Sequence, residues 1–233
     1  ILPRGHKIRP FDLGSLISGG VEEIEVIRRP VVTIIPTGDE LVESPSLVGR
    51  GHIPDSNSWM LSALVTEAGG IPHRLSPCQD DYDAIKATIS DAAKTSDLVL
   101  IGAGSSAGTK DFTSAAVAEL GEVVVHGIAI KPGKPSILGK VGTTPVIGIP
   151  GYPVSSYISF HEFSGPILSK LTGQNLPEVW VDAILNTDVH SSLKNREYIR
   201  VSLHYDHGTY RATPTTSGAG VSMSLVRCDG IGI

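Results

Sequence analysis

The chain has 233 residues, 40% hydrophobic and 18% charged, with a formal net charge of −5 and two cysteines. That balance is enough for a folded core and excludes disordered, fibrous and disulfide-scaffold classes. It also argues against a nucleic-acid protein, which would carry a basic face, while leaving open a local anion pocket built from backbone amides and a few lysines. Cys78 and Cys228 lack CxxC or His-rich spacing, so no zinc site is expected and both read as reduced thiols. The eight histidines form no HxxxH or HxH pair and read as surface or core residues. No apolar run approaches the roughly 20 residues that span a bilayer, and no signal peptide is visible, so a cytoplasmic protein is expected. The chain opens in mid-pattern at Ile1 and stops in a strand-like Asp229–Ile233, as a piece of a longer polypeptide would.

Residues 1–28 give an extended stretch, a short helix from about Phe11 to Ser18, a Gly19-Gly20 stop and a strand-like Ile24–Ile27. This is too little to fold alone and is expected to dock elsewhere. From Arg29 strands and helices alternate. Val31–Ile35 is a continuous apolar, β-branched run, the mark of a strand buried on both faces. Asp55 or Ser56 can cap a helix whose Met60, Leu61, Leu64, Val65 and Ala68 share one face, and Gly69-Gly70 ends it. A strand near Ile71–Leu75 leads to a second amphipathic helix bearing Tyr82, Ile85, Ile89 and Ala92. Leu98–Ile101 is the next buried strand. A helix near Ser114–Leu120 follows, then strands around Val123–Ile130 and Val146–Ile149, and a long helix from about Val154 to Leu171. Over residues 29–175 this alternation predicts an α/β domain with a mostly parallel sheet between two helical layers. Residues 176–233 change to short β-rich runs, Val179–Leu185, Tyr198–His204 and Tyr210–Thr213, with Asp206-His207-Gly208 as a hairpin turn. They predict a small all-β domain, truncated at its end.

Ligands of such sheets bind outside the carboxyl ends of the strands, so four loops become the candidate site. Thr37-Gly38-Asp39-Glu40-Leu41 presents a hydroxyl, a close-approach glycine and two carboxylates that can hold Mg²⁺ or act as a base, although polar residues fill turns for local reasons too. Gly102–Asp111 is a Gly/Ser loop able to wrap a phosphate with amides and hydroxyls, neither a Walker A loop nor a strict GxGxxG; as plain structure it is a mobile connection. Asp111 lies at its end, placed to meet a metal or a ligand hydroxyl. Lys131-Pro132-Gly133-Lys134-Pro135 is a stiff loop with two cations, suited to an oxyanion, against the alternative of a solvated basic turn. Pro150-Gly151-Tyr152-Pro153 fixes a bend into a helix whose N-terminus points at the same rim.

These motifs carry a resemblance. Thr37–Leu41, Asp55-Ser56-Asn57, the loop ending Gly108-Thr109-Lys110-Asp111-Phe112, Ile130–Pro135 and Pro150–Ser155 stand in the order seen in the MoeA/gephyrin E-domain family. Leu2–Gly5 with Ile8–Gly14 is similar to the segment leading into that family's molybdopterin-binding domain, which is MogA-like, and Asn195–Val201 is similar to its β-rich C-terminal domain. The resemblance implies molybdenum cofactor biosynthesis by a molybdopterin molybdenumtransferase. Adenylylated molybdopterin and molybdate are the implied substrates, and AMP is released in a step that needs Mg²⁺. It implies catalytic roles for Asp39, Glu40 and Asp111, with Glu40, Asp111 and Asp81 (or Asp80) toward the metal. Thr37, Gly104, Ser105, Ser106, Gly108, Lys131, Lys134, Pro150 and Pro153 would bind or shape the substrate site.

The chain departs from the family pattern in three places. Its Gly102–Gly108 loop lacks one serine and two valines of the usual motif, Tyr152 stands where an asparagine is usual, and the family's N-terminal helix region and second domain are absent. In those proteins the missing part completes the site across a homodimer, so the fragment alone is expected to bind ligand and turn over poorly. Two other readings share the fold: a molybdopterin adenylyltransferase, and a non-catalytic pterin-binding sensor or scaffold.

Overall fold

The computed structural model describes residues 2–3, 5–103, 111–174, 179–191, 194–215 and 218–233. Helix α1, Pro10–Ser18, starts at a proline, which suits a first turn where the N–H has no intrahelical partner. The carboxylate of Asp12 accepts the Arg9 backbone N–H at 2.8 Å, the Arg9 Nε at 3.0 Å and sits 2.8 Å from His6 Nε2. These contacts hold its carboxyl well below the ordinary range, Arg9 contributing most. The expected strand at Ile24–Ile27 does not form. Residues 21–30 run without a ladder, with Val26 and Ile27 exposed, and among the described residues no strand pairs with them. Arg28 fastens this segment to Asp97, and Arg29 donates to the Gly69 carbonyl at 3.1 Å.

The α/β unit then follows: strand β1 (Val31–Ile35), the short parallel pair β2 (Leu41–Val42) and β3 (Ile53–Pro54), α2 (Asn57–Glu67), β4 (Ile71–Arg74), α3 (Tyr82–Thr95), β5 (Leu98–Ala103), α4 (Phe112–Leu120), β6 (Glu122–His126), β7 (Ile130–Lys131), β8 (Ile137–Val141) and β9 (Thr144–Pro150). Six strands make one sheet in the order β4-β1-β5-β9-β8-β6. The first four run parallel, β8 runs antiparallel to β9, and β6, antiparallel to β8, returns to the direction of the first four. Alternate strand residues feed the two faces. Val32, Ile34, Leu98, Leu100, Ile147 and Ile149 pack under Leu61 and Val65 of α2 and under Phe160 and Leu168. Ile35, Val99, Ile101 and Val146 pack under Ile85, Ile89 and Ala92 of α3 and Ala116 and Val117 of α4. The α2 cap is shared: Ser56 precedes the helix without a side-chain bond, and Asp55 Oδ1 accepts the Ser58 N–H at 3.1 Å.

Two details differ from the sequence expectation. The long helix after β9 has three parts, α5 (Pro153–Ser159), a π-helical turn Phe160–Ser164 and α6 (Gly165–Thr172). Pro166 is the reason: it has no N–H for the carbonyl four residues back and its ring crowds that turn, which widens. Strand β8 was also not expected. It returns on β9 through Gly142-Thr143, with Gly142 at φ +59°, and its Gly139 lets Val117 and the Glu122 carbonyl approach within 2.6 and 2.8 Å of where a Cβ would sit.

The C-terminal unit holds β10 (Ala183–Leu185), β11 (Arg196–Glu197), β12 (Ile199–Asp206), β13 (Thr209–Pro214), the short helix α7 (Met223–Val226) and β14 (Gly230–Gly232). Four strands form a sheet in the order β10-β13-β12-β14. Within the expected Val179–Leu185 run only Ala183–Leu185 is strand. The turn at His207-Gly208 has both residues at positive φ, 46° and 87°, the geometry that closes a two-residue hairpin. This unit packs against the first: Tyr198, Leu225 and Ile231 lie against Ile130, Val154 and Ile158, and β11 adds in parallel to β7. Among the described residues no helix is long and apolar enough to cross a membrane.

Candidate functional site

A cleft of about 1050 Å³ opens at the carboxyl ends of β1, β5 and β9. Its floor is made by strand ends, including Ile35, Ile101 and Ile149, and its walls by residues that follow β1 and β9 and by the loop after β7.

One wall is acidic. After β1, Gly38 adopts φ +140°, a conformation open to glycine, and the Glu40 carboxylate folds back over it: a Cβ on Gly38 would stand 2.8 Å from Glu40 Oε2 and 2.9 Å from Oε1. Thr37 fastens this turn to the neighbouring strand by donating its hydroxyl to the Gly102 carbonyl at 3.1 Å, which Thr113 also reaches at 3.0 Å. Gly102 permits that approach, since a Cβ there would meet Thr37 Oγ1 at 2.6 Å. Asp80 joins Glu40 on the cleft lining. Asp39 holds it there, its Oδ1 accepting the Asp80 backbone N–H at 3.0 Å. Burial raises the Asp80 pKa above the usual carboxylate range, and the negative charges of Asp39 and Glu40 push the same way. Asp39 itself faces a smaller neighbouring hollow of about 450 Å³.

Another part of the lining is basic. Lys131 and Lys134 both line the cleft on a loop whose Lys131–Pro132 peptide is cis. Gly133, at φ +119°, sits against Ile130, where a Cβ would come within 2.7 Å of Cδ1. The C-terminal unit supports this loop: Arg196 N–H donates to the Ala129 carbonyl and Tyr198 N–H to the Lys131 carbonyl, each at 2.8 Å. The Lys131 Nζ lies 3.3 Å from Glu197 Oε1. Pro150, Gly151, Tyr152 and Pro153 close the rim, and Asn57 donates to the Gly151 carbonyl at 2.6 Å.

Of the residues singled out from sequence, Thr37, Glu40, Lys131, Lys134, Pro150 and Pro153 therefore line one cleft. Gly104, Ser105, Ser106 and Gly108 lie outside the described residues. Asp81 is engaged elsewhere, its Oδ1 accepting the Ala84 N–H at 2.9 Å as the N-cap of α3; the acidic side chain of that stretch on the lining is Asp80. Asp111 likewise caps α4, accepting from the Ser114 N–H at 3.0 Å, and pairs with His126 at 2.9 Å. Among the described residues no group of three or more His, Cys, Asp and Glu side chains is gathered to hold a metal ion. The sequence reading did not include Asn195, Ala219, Gly220 and Ser222, which reach the cleft from the C-terminal unit. No local pattern marks them, because only the packing of the two units brings them there.

Residues 33–170 match the family model described as "Probable molybdopterin binding domain", and residues 182–233 match "MoeA C-terminal region (domain IV)". A molybdopterin molybdenumtransferase from Nostoc sp. is 32% identical over 90% of this chain and 50% of its own length. Gephyrin from Dictyostelium discoideum is 27% identical over 97% of this chain and 36% of its own. A solved structure of the molybdopterin biosynthesis MoeA protein from Pyrococcus horikoshii superposes with a TM-score of 0.81 at 33% identity, covering 99% of this chain and 56% of that one. The chain thus spans about half the length of the curated relatives it matches. With its sheet, its cleft and both family matches in agreement, the chain belongs to the MoeA/gephyrin family.

Proposed function

We propose that the cleft binds molybdopterin and its adenylylated form, and that the protein containing this chain is a molybdopterin molybdenumtransferase. In that reaction molybdate is inserted into the pterin dithiolene and AMP is released by cleavage of the phosphoanhydride. The observation that carries this reading is the mixed lining: two lysines on a braced loop and the Glu40 and Asp80 carboxylates border one cleft of about 1050 Å³. The lysines suit the oxyanions, molybdate or the substrate's phosphates, and Thr37 with the strand-end backbone shapes the floor. Pro150 and Pro153 hold the bend that closes the rim.

Mg²⁺ fits this donor set. Such an ion is ordinarily held by one or two carboxylates together with substrate phosphates and water, so it needs no cluster of three protein ligands. Glu40 and Asp80, which both line the cleft, would hold it. When bound, it would neutralise charge developing on the departing phosphate. Asp39 keeps Asp80 in position through the backbone, and Asp111, as the cap of α4, sets the end of the loop that follows β5. On the same reading, turnover belongs to the whole protein, in which further segments and a second copy complete the cleft.

The test uses the full-length protein with adenylylated molybdopterin. AMP release on adding molybdate is the expected result, and Glu40→Ala abolishes it while leaving pterin affinity within about twofold. ATP consumption by free molybdopterin would instead establish the adenylyltransferase. Pterin binding with neither reaction would leave a sensor or scaffold.

A further inference from the structure

Glu197 is the contact between the basic wall and the C-terminal unit. It stands directly opposite Lys131 in the parallel β11–β7 ladder, so their side chains leave the backbone side by side. The pairing is held at both ends by the 2.8 Å bonds from Arg196 and Tyr198. Within it the Glu197 side chain is only 13% exposed, whereas that of Lys131 is 65% exposed, and Nζ lies 3.3 Å from Oε1. A mostly buried carboxylate on a ladder strand therefore partners an exposed cation that also lines the cleft. A lysine on a flexible stem can hand its charge from one anion to another, while a carboxylate clamped in a ladder cannot follow it.

We propose that Glu197 is a positioning residue that acts as a resident counter-ion: it holds the Lys131 ammonium in the empty cleft and competes with the incoming oxyanion for it. The inference rests on Lys131 being an oxyanion ligand. Glu197 comes from the C-terminal unit, so that unit tunes the affinity of the lysine loop that the α/β domain contributes. A negative charge this close to an anion site lowers anion affinity by roughly fivefold, the range of a partly exposed ion pair.

The test is titration calorimetry of the whole protein with inorganic molybdate and, separately, inorganic phosphate. Glu197→Gln, which keeps the shape and removes the charge, is expected to bind both anions about fivefold more tightly than the wild type. Glu197→Asp, which keeps the charge, stays near wild-type affinity. In a Lys131→Met background the Glu197→Gln gain disappears, and that background alone weakens binding. A purely structural role would lower the melting temperature of Glu197→Gln without tightening anion binding. Equal affinities for wild type and Glu197→Gln, with Lys131→Met still weakening binding, would sink the counter-ion inference alone. Unchanged binding in Lys131→Met would remove the lysine's role as an oxyanion ligand and the inference with it.

Discussion

Replacing Gly38 by alanine separates the strain of the acidic turn from its chemistry. Two effects arise at that position. The backbone sits at φ +140°, which a side chain with a Cβ adopts at a cost of about 1–3 kcal/mol. The new methyl also lands 2.8 and 2.9 Å from the two Glu40 carboxylate oxygens. Those atoms end a flexible side chain, so the clash is relieved by swinging the carboxylate away at little energetic cost. Stability is then expected to fall by about 2 kcal/mol, nearly all from the backbone, lowering the melting temperature by about 4–8 °C for a chain of this size. Activity is expected to fall almost as far as in Glu40→Ala, because the carboxylate has left the wall. Combining the two substitutions isolates the steric part: the stability cost of Gly38→Ala should be nearly the same with and without Glu40, while activity drops no further. Thermal melts and AMP release of the four proteins measure both. Wild-type activity in Gly38→Ala would refute the claim that the glycine sets the position of Glu40.

Three further outcomes follow from the same structure. Burial and two neighbouring carboxylates raise the Asp80 pKa, so the folded state favours its protonated form, and stability is lost as pH rises from the ordinary carboxylate value through the raised one. Asp80→Asn should accordingly stabilise the protein at pH 7 by a few tenths of a kcal/mol, up to about 1 kcal/mol, with the gain vanishing below about pH 4, while metal-dependent turnover falls; melts showing an equal gain at both pH values would contradict this. Asp97 has the opposite sign. Hydrogen bonds from Arg28, with the Val31 N–H at 2.8 Å adding to them, lower its pKa, so its contribution is present at neutral pH and lost as pH falls through the lowered value. Asp97→Asn should flatten the acid limb of a stability–pH profile. Leu100→Ala, in the middle of the sheet with no exposed surface, should cost about 2–5 kcal/mol in urea denaturation with the slope unchanged.

How far the sequence reached is clearest at the strand ends. Val31–Ile35 and Leu98–Ile101 announced themselves by continuous β-branched and aliphatic runs, because strands covered on both faces need apolar side chains throughout. The order of the lysine loop, the Thr37–Glu40 turn and the proline bend likewise followed from local residue chemistry and from the rule that parallel sheets bind at their carboxyl ends. Ile24–Ile27 had the composition of a strand but not a neighbour to pair with, and β8 carried a glycine that masked its pattern until β9 supplied a ladder. A strand is a property of two segments, and a single run of sequence describes one.

The chain's pattern therefore determined by itself the layered α/β core and three of the loops that border one cleft, those at Thr37, Lys131 and Pro150. Those features depend on side-chain periodicity and turn residues that act within a few positions. Tertiary structure alone decided which acidic group faces the cleft. Asp80 and Asp81 are neighbours in sequence, yet Asp81 is spent capping α3 and Asp80 is held by Asp39, 41 residues away. It alone decided, too, that Asn195 reaches the cleft and that Glu197 lies beside Lys131, since their approach goes with the burial of Tyr198 and Ile231 against Ile130 and Ile158. Contacts of that kind depend on complementary surfaces of both units, which no single run of sequence describes.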